Sequence, residues 1–220
     1  MRRLLRDNAL SLTMFGLFLV FLVAQSVAGF RTNNSDNQEH GQPRESYTEY
    51  LTSGAFVEAT FENWESEFLQ MGAYVLLTAW LIQKGSPESK KPEGEASDAD
   101  PRTARDNSDA PSPVRRGGLA LTLYEHSLSI ALFGLFLISF VLHALGGHVE
   151  YNQQQLEHGQ AAVSLWSFVT SSEFWFQSMQ NWQSEFLAVA ALAVLGIFLR
   201  QRGSPESKPV AAPHAQTGTG

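Results

Sequence analysis

Hydrophobic residues are concentrated in four blocks of the chain, and polar residues fill the segments between them. The first and third blocks, residues 10–30 and 128–145, are apolar over roughly the 20 residues that a helix needs to cross the hydrocarbon core of a bilayer. The second and fourth, residues 68–82 and 186–199, reach that length only if each helix begins in the preceding Asn-Trp segment. This pattern predicts an all-α membrane protein with four transmembrane helices.

The first block also has features of a secretory signal peptide, because Arg2, Arg3 and Arg6 precede it and positions 24–29 include small residues suited to a cleavage site. The third block argues against that interpretation. It repeats much of the same sequence in mid-chain, where a cleavable signal would serve no purpose. We therefore expect the first block to be retained as a span.

Composition and charge sharpen this picture. The chain has 220 residues, a net charge of −7, no cysteine and a mean hydropathy of −0.13. A disulfide scaffold is excluded, and an acidic chain without a basic stripe is not expected to bind nucleic acid. Of the 15 Lys and Arg residues, 13 lie before the first block, between the second and third, or after the fourth. The positive-inside rule therefore predicts that both termini and the central segment are cytoplasmic.

The second half of the chain aligns with the first at an offset of 118 residues without a gap. Phe-Gly-Leu-Phe-Leu, Glu-His-Gly-Gln, Asn-Trp with Ser-Glu-Phe-Leu, and Gly-Ser-Pro-Glu-Ser-Lys all occur in both halves. We infer a tandem, parallel duplication of a two-helix unit that forms a four-helix bundle. Gly16 and Gly134 fit a close approach of helices, and the equally favoured alternative is that small residues are simply common in membrane helices. The predicted organisation is a two-span repeat at 1–85, a disordered linker at 86–116, a second repeat at 117–203 and a disordered tail at 204–220.

The segments between paired spans, residues 31–62 and 149–180, are rich in aromatic residues and are expected on the outer side. We expect short amphipathic helices there that lie on the membrane or fold over the bundle. Ser53 and Ser171 are candidate N-caps for the helices that continue into the second and fourth spans.

The sharpest candidate for function is a motif that occurs once in each half, at the outer ends of those two spans. Its spacing places its members on one helix face. A carboxylate within a span is costly, and two carboxylates that meet at a pseudo-twofold axis could exchange a proton. The alternative is that both lie at headgroup depth with the tryptophans as interfacial anchors. The six residues are Asn63, Trp64, Glu67, Asn181, Trp182 and Glu185.

Weaker candidates come from the Glu-His-Gly-Gln motifs. A histidine beside a glutamate could bind a metal or sense pH, but a turn with Gly41 or Gly159 at positive φ is the favoured interpretation. Gln25 and His143 occupy equivalent places inside the first and third spans, where we expect hydrogen bonds between helices. The motif residues in question are Glu39, His40, Glu157 and His158.

The basic start, the repeated motifs above, and the segments Tyr50-Leu51-Thr52-Ser53-Gly54 and Phe61-Glu62-Asn63-Trp64 together resemble a family of uncharacterised bacterial integral membrane proteins, known as a domain of unknown function. The resemblance implies a protein of the bacterial cytoplasmic membrane with two related two-helix halves. It implies no activity. The second half departs from the motif where Glu62, Glu65 and Gln70 become Gln180, Gln183 and Ala188, which indicates that identity at these positions is not required.

No nucleophile motif, phosphate-binding loop or zincin helix occurs in the chain, so we expect no enzyme, no catalytic residue, no cofactor and no metal. Two functions are compatible with the sequence. The first is a structural or accessory protein that contacts lipid, further copies of itself or a membrane partner. The second is a small oligomeric transporter or channel that uses Glu67 and Glu185.

Overall fold

A computed structural model describes residues 2–218, and this part of the chain contains helices and no strand. The prediction of an all-α protein is confirmed there. Two short 3₁₀ helices span Ala96–Asp98 and Pro101–Ala104. The α-helices are α1 (Arg2–Asp7), α2 (Ala9–Glu39), α3 (Tyr47–Tyr50), α4 (Gly54–Trp80), α5 (Ser112–Arg116), α6 (Gly118–Glu125), α7 (Ser127–Glu157), α8 (Leu165–Val169) and α9 (Ser172–Phe198).

The four long helices recur in the two halves. Helices α2 and α7 each have 31 residues, and α4 and α9 each have 27. Both ends of α7 lie 118 residues after the ends of α2, and the same offset relates α9 to α4. The helix bounds therefore follow the same register as the sequence motifs.

Within residues 2–218, three helices are long and apolar enough to cross a membrane: α2, α7 and α9. Helix α4 has the length of α9 but carries four glutamates, at positions 58, 62, 65 and 67, whereas α9 carries two. Lower hydropathy rather than length separates α4 from the other three. The fourth predicted span remains a prediction.

The chain divides into two compact units. The first contains the residues up to Phe61 together with Val141–Phe174, and the second contains Glu62–Phe140 together with the chain from Trp175 onward.

The core of the first unit is an aromatic cluster that occurs twice. The ring of Tyr50 lies 6.0 Å from Phe30 and 5.6 Å from Phe56, measured between centroids. At the equivalent positions, Phe168 lies 6.2 Å from His148 and 5.5 Å from Phe174. Tyr50 is 4% exposed and Phe168 is 1% exposed. The short helices α3 and α8 thus each bury one aromatic side chain, Tyr50 and Phe168. Burial of a large ring contributes strongly to stability, so these two rings hold α3 and α8 in place.

A glycine makes room for each of these rings. A Cβ atom at Gly29 would collide with the hydroxyl of Tyr50, and one at Gly147 would come within 3.0 Å of Cζ of Phe168. These two glycines are again 118 residues apart. The close approach of helix and ring therefore needs glycine in both halves.

Helix contacts in the first unit also depend on glycine, but not on the glycines expected from the sequence. A Cβ at Gly54 would lie 2.8 Å from the backbone nitrogen of Glu150, and a Cβ at Gly146 would lie 2.7 Å from that of Glu58. A Cβ at Gly16 or Gly134 would meet nothing within 4 Å. The expectation that Gly16 and Gly134 permit close helix approach within the chain is therefore wrong, because both face open space.

The helix starts agree with the sequence. The backbone N–H of Phe56 donates to Oγ of Ser53, and that of Phe174 donates to Oγ of Ser171, both at 3.3 Å. A serine hydroxyl that accepts from the third residue of the helix is the expected N-cap bond. Both predicted N-caps are confirmed.

The second unit contains two copies of a Gly-Ser-Pro turn, residues 85–90 and 203–208. Oγ of Ser89 accepts from the backbone N–H of Gln83, and Oγ of Ser207 accepts from that of Gln201, both at 2.9 Å. Gly85 and Gly203 begin the turns with φ near 88° and 87°. These positive φ values explain why glycine opens both motifs.

The C-terminal segment packs on the first Gly-Ser-Pro turn. Lys208 is 1% exposed, and its Nζ donates to the carbonyl of Gly85 at 2.5 Å. The same ammonium donates to the carbonyls of Pro213, His214 and Gln216. The disorder expected for 86–116 and 204–220 stays a prediction, and these bonds mark where the tail is held.

Candidate functional site

Polar side chains of α4 and α9 bind each other within the second unit. The side-chain amide of Asn181 donates to Oε1 of Glu62 at 2.5 Å, and the indole N–H of Trp182 donates to Oε1 of Glu65 at 2.9 Å. Glu65 is fully buried. Both bonds join a residue of the predicted motif in the second half to a carboxylate of the first half.

Glu65 is the most buried carboxylate of this group, and burial of a charge is costly unless hydrogen bonds compensate it. The Trp182 donor provides one such bond. Its indole is also enclosed by rings, since the centroids of Phe136 and Trp175 each lie 6.2 Å away. Trp182 therefore packs within an aromatic cluster and holds a carboxylate in place.

The predicted pair of carboxylates, Glu67 and Glu185, is more exposed than the buried carboxylate of Glu65. Glu67 and Asn63 are exposed, whereas Trp64 and Glu185 are half-buried. The carboxylates of Glu67 and Glu185 are close enough to interact electrostatically. The charge of Glu67 thus acts on Glu185, and the proposed role of the two carboxylates in proton exchange stays a prediction.

Sequence reasoning missed Glu62 and Glu65. These residues become Gln180 and Gln183 in the second half, and that departure was interpreted as tolerance. A usable signal was present, because a carboxylate in the interior of a long, largely apolar helix needs a specific partner. The replacement of these two glutamates by glutamines in the second half indicates that the first half supplies the carboxylates that accept the hydrogen bonds.

The Glu-His-Gly-Gln motifs form two turns of the first unit, which we call the His-Gly turns (residues 40–46 and 158–164). Gly41 has φ of 71° and Gly159 has φ of 70°. The predicted positive-φ turn is confirmed in both halves. Each turn ends the helix before it, and no non-glycine residue of the described chain adopts a positive φ.

The two histidines of these turns lie side by side. The ring centroids of His40 and His158 are 6.0 Å apart. Glu39 is exposed, and Glu157 is half-buried and accepts a hydrogen bond from the amide of Gln153 at 3.3 Å. The two motifs, distant in the chain, thus form one surface.

An asparagine in each half binds the backbone at the end of its His-Gly turn. Oδ1 of Asn34 accepts from the backbone N–H of Glu45 at 2.8 Å, and its amide donates to the carbonyl of Glu45 at 3.2 Å. Asn152 makes the same two bonds with Val163, at 2.8 and 3.1 Å. These asparagines were not singled out from the sequence, although their identity across the 118-residue offset was visible.

The short helices after the turns begin with serine caps. Ser46 accepts from the backbone N–H of Glu49 at 3.3 Å, and Ser164 accepts from that of Ser167 at 3.1 Å. Glu49 accepts in return from the backbone N–H of Ser46 at 2.7 Å. This bond, together with the one from the Ser46 side chain, holds the pKa of Glu49 below its usual value.

The residues predicted to bond between helices have separate roles. The amide of Gln25 donates to the backbone carbonyl of Ala59 in α4 at 3.3 Å, as expected for a contact between helices. His143 is fully buried, and its ring stacks on Phe174 at a centroid distance of 4.8 Å.

In the part of the chain that the structure describes, no group of three or more His, Asp or Glu side chains is arranged to hold a metal ion. An open cleft of the first unit, about 980 Å³ in volume, lies between the first His-Gly turn and the last turns of α7, and its lining includes Arg44, Glu45, Asn152 and Glu157.

Comparison with known proteins identifies a family without assigning an activity. No curated protein and no solved structure matches the chain. A family model described as Domain of unknown function (DUF6766) matches residues 1–219. Because this match covers nearly the whole sequence, the chain belongs to that family of unknown function.

Proposed function

We propose that this chain is a non-enzymatic, structural or accessory protein of the bacterial cytoplasmic membrane, built by tandem duplication, with four spans and both termini in the cytoplasm. The observation that carries the proposal is the exposed apolar surface of the long helices. In α2, Leu10, Phe15 and Phe21 are 76%, 69% and 66% exposed. Contiguous apolar surface of this extent needs a covering of lipid or protein.

The fourth span rests on how α4 accommodates its acids. Glu62 and Glu65 accept hydrogen bonds from Asn181 and Trp182, which reduces the cost of placing them near the membrane. The equivalence of α4 and α9 in length and register supports the same role for both. The repeated turns, caps and asparagine bonds support duplication of one two-helix unit.

The accessory role is favoured because the buried polar groups of α4 and α9 bond each other and thereby fix the helices. The alternative is a small oligomeric transporter or channel. The electrostatic interaction between Glu67 and Glu185, together with the exposure of Glu67, is the observation that favours it.

Topology is testable by cysteine labelling, because the chain has no native cysteine. Single variants Thr48→Cys and Asp109→Cys place one thiol in α3 and one in the predicted linker. In intact spheroplasts, a membrane-impermeant maleimide should label the first variant and leave the second unlabelled until the membrane is permeabilised. Labelling of Asp109→Cys in intact spheroplasts would contradict the proposed orientation.

Flux measurements separate the two functions. Liposomes containing the wild type should show no more proton or cation flux than liposomes containing the folded Glu67→Gln/Glu185→Gln variant. Flux in the wild type that disappears in the variant would establish a transport site and overturn the accessory role. Crosslinking in cells then tests for a homo-oligomer or a membrane partner.

A further inference from the structure

His40 and His158 meet although they lie 118 residues apart, and both side chains are exposed. Each follows the last turn of a 31-residue helix, and each precedes a glycine at positive φ. The same local structure therefore presents one imidazole from each half of the chain on a common surface of the first unit.

The hydrogen bonds of the two rings define their tautomers. Nδ1 of His40 lies 2.9 Å from the carbonyl oxygen of Asp36, and Nδ1 of His158 lies 2.8 Å from that of Gln154. A carbonyl oxygen can only accept, so Nδ1 carries the hydrogen in both rings. Nε2 is then left as the atom with a free lone pair.

This arrangement is the one found around histidines that bind metals. A metal-bound imidazole usually donates its other N–H to a carbonyl or carboxylate, which orients the ring and raises its basicity. Here a backbone carbonyl of α2 accepts from His40, and a backbone carbonyl of α7 accepts from His158. The carbonyl ends of α2 and α7 add negative potential, because a helix C-terminus carries partial negative charge.

We propose that His40 and His158 form a two-histidine site for a divalent cation that prefers imidazole, such as Zn²⁺ or Cu²⁺. The ion bonds Nε2 of both rings, and water completes its coordination. Imidazole ligands select this class over Mg²⁺ and Ca²⁺, which prefer oxygen.

The ring separation is close to the one that such an ion needs. A metal–nitrogen bond of about 2.0–2.1 Å places the metal about 3.2 Å from each ring centroid. Two rings that share one ion at a tetrahedral angle then lie about 5.2 Å apart between centroids. The observed separation is 6.0 Å, so the two exposed rings must move slightly closer when the ion binds. Because no third His, Asp or Glu of residues 2–218 is grouped with the pair to hold a metal, the bound ion keeps open positions and should exchange readily.

The site can be tested on the full chain, purified through a histidine-free tag in detergent at neutral pH. Equilibrium dialysis with Zn²⁺ should give one ion per chain, and Cu²⁺ should show two nitrogen ligands by electron paramagnetic resonance. Loss of a ligand should weaken binding at least as much as loss of a supporting hydrogen bond does, about 10-fold to 100-fold. His40→Gln and His158→Gln should therefore have similar effects.

His126 provides a matched control, because it is also exposed and also stands beside a glutamate, with Nε2 3.9 Å from Glu125. His126→Gln should bind Zn²⁺ like the wild type, and circular dichroism should confirm that all variants are folded. Unchanged binding in the folded His40→Gln/His158→Gln variant would overturn the proposal. A stoichiometry of one ion for two chains would overturn it as well, since the pair would then lie between copies.

Discussion

The His-Gly turns and the Gly-Ser-Pro turns are both repeated in the chain, but only the His-Gly turns keep the same surroundings in the two halves. Asn34 and Asn152 each bond the backbone that leaves a His-Gly turn, with nearly equal distances. The Gly-Ser-Pro turns share their internal bonds and then diverge. Lys90 reaches Asp98 at 3.0 Å near the surface, whereas Lys208 is enclosed by four backbone carbonyls.

The difference shows which contacts a short repeated motif determines. The bonds inside a turn come from glycine, serine and asparagine within the motif, so they recur wherever the motif recurs. The partner of the terminal lysine comes from the chain that follows, and that chain differs. Lys90 is followed by an acidic segment, and Lys208 is followed by a short tail that folds back.

The largest expected effect breaks a close helix contact of the first unit, which also contains both His-Gly turns. In Gly146→Ala, the new methyl group would lie 2.7 Å from the backbone nitrogen of Glu58, so the backbone must shift. We expect a loss of about 3 kcal/mol of stability, as for other overpacked sites. Thermal unfolding in detergent measures it. Gly134→Ala is the control, because its Cβ meets open space, and it should unfold no earlier than the wild type.

The second prediction tests the equivalence of the two His-Gly turns. Asn34→Ala and Asn152→Ala each remove a donor and an acceptor from the backbone of the departing chain. Each should cost about 2 kcal/mol, because a lost bond also leaves a partner group unsatisfied. Denaturant unfolding of the two variants should give similar values. A cost in one half and none in the other would show that the turns are alike in shape only.

The third prediction sharpens the contrast between the lysines. Lys208→Met removes an ammonium that shares its three hydrogens among four backbone carbonyls and holds the tail. Lys90→Met removes one exposed ion pair, which contributes little. We expect Lys208→Met to destabilise the folded position of the tail by about 1 kcal/mol, which raises the fraction of molecules with a detached tail about five-fold.

Limited proteolysis of residues 209–218 should therefore accelerate in Lys208→Met and stay unchanged in Lys90→Met. Rapid cleavage in the wild type itself would favour the disorder expected from the composition of the tail. Equal acceleration in both variants would mean that the two lysines are interchangeable.

Much of this architecture was readable from the sequence because it depends on local rules. Apolar blocks of about membrane-spanning length indicated the long helices, and the serine before α4 and the serine before α9 predicted their starts. The Glu-His-Gly-Gln motif predicted glycine at positive φ. Each of these inferences uses residues within a few positions of one another.

Contacts between helices were harder, since they depend on which faces meet. Gly16 and Gly134 were expected at a close approach, yet Gly54 and Gly146 provide it. The motif around Glu67 was singled out, yet Glu62 and Glu65 are the acceptors for Asn181 and Trp182. Spacing along one helix shows which of its residues share a face, but it does not show which residues of another helix that face contacts.

The smallest expected effect concerns a pair of equivalent acids in the Gly-Ser-Pro turns, Glu88 and Glu206. Burial raises the pKa of Glu88, the hydrogen bond from the hydroxyl of Tyr74 opposes that rise, and the charge of Glu206 adds to it. The folded state therefore binds a proton at a higher pH than the unfolded state does. By linkage, the stabilisation is complete below the ordinary glutamate pKa and is lost as pH rises through the raised value.

Wild-type melting temperature should accordingly fall relative to that of Glu88→Gln as pH rises from about 4.5 toward neutrality. Glu206→Gln should reduce this dependence in part, because it removes the neighbouring charge that raises the pKa of Glu88. Tryptophan fluorescence during thermal unfolding, recorded across that range, compares the three proteins. If melting temperature depends on pH alike in the wild type and in Glu88→Gln, Glu88 titrates alike in the folded and unfolded states. The different surroundings of the two Gly-Ser-Pro turns would then rest on the lysines alone.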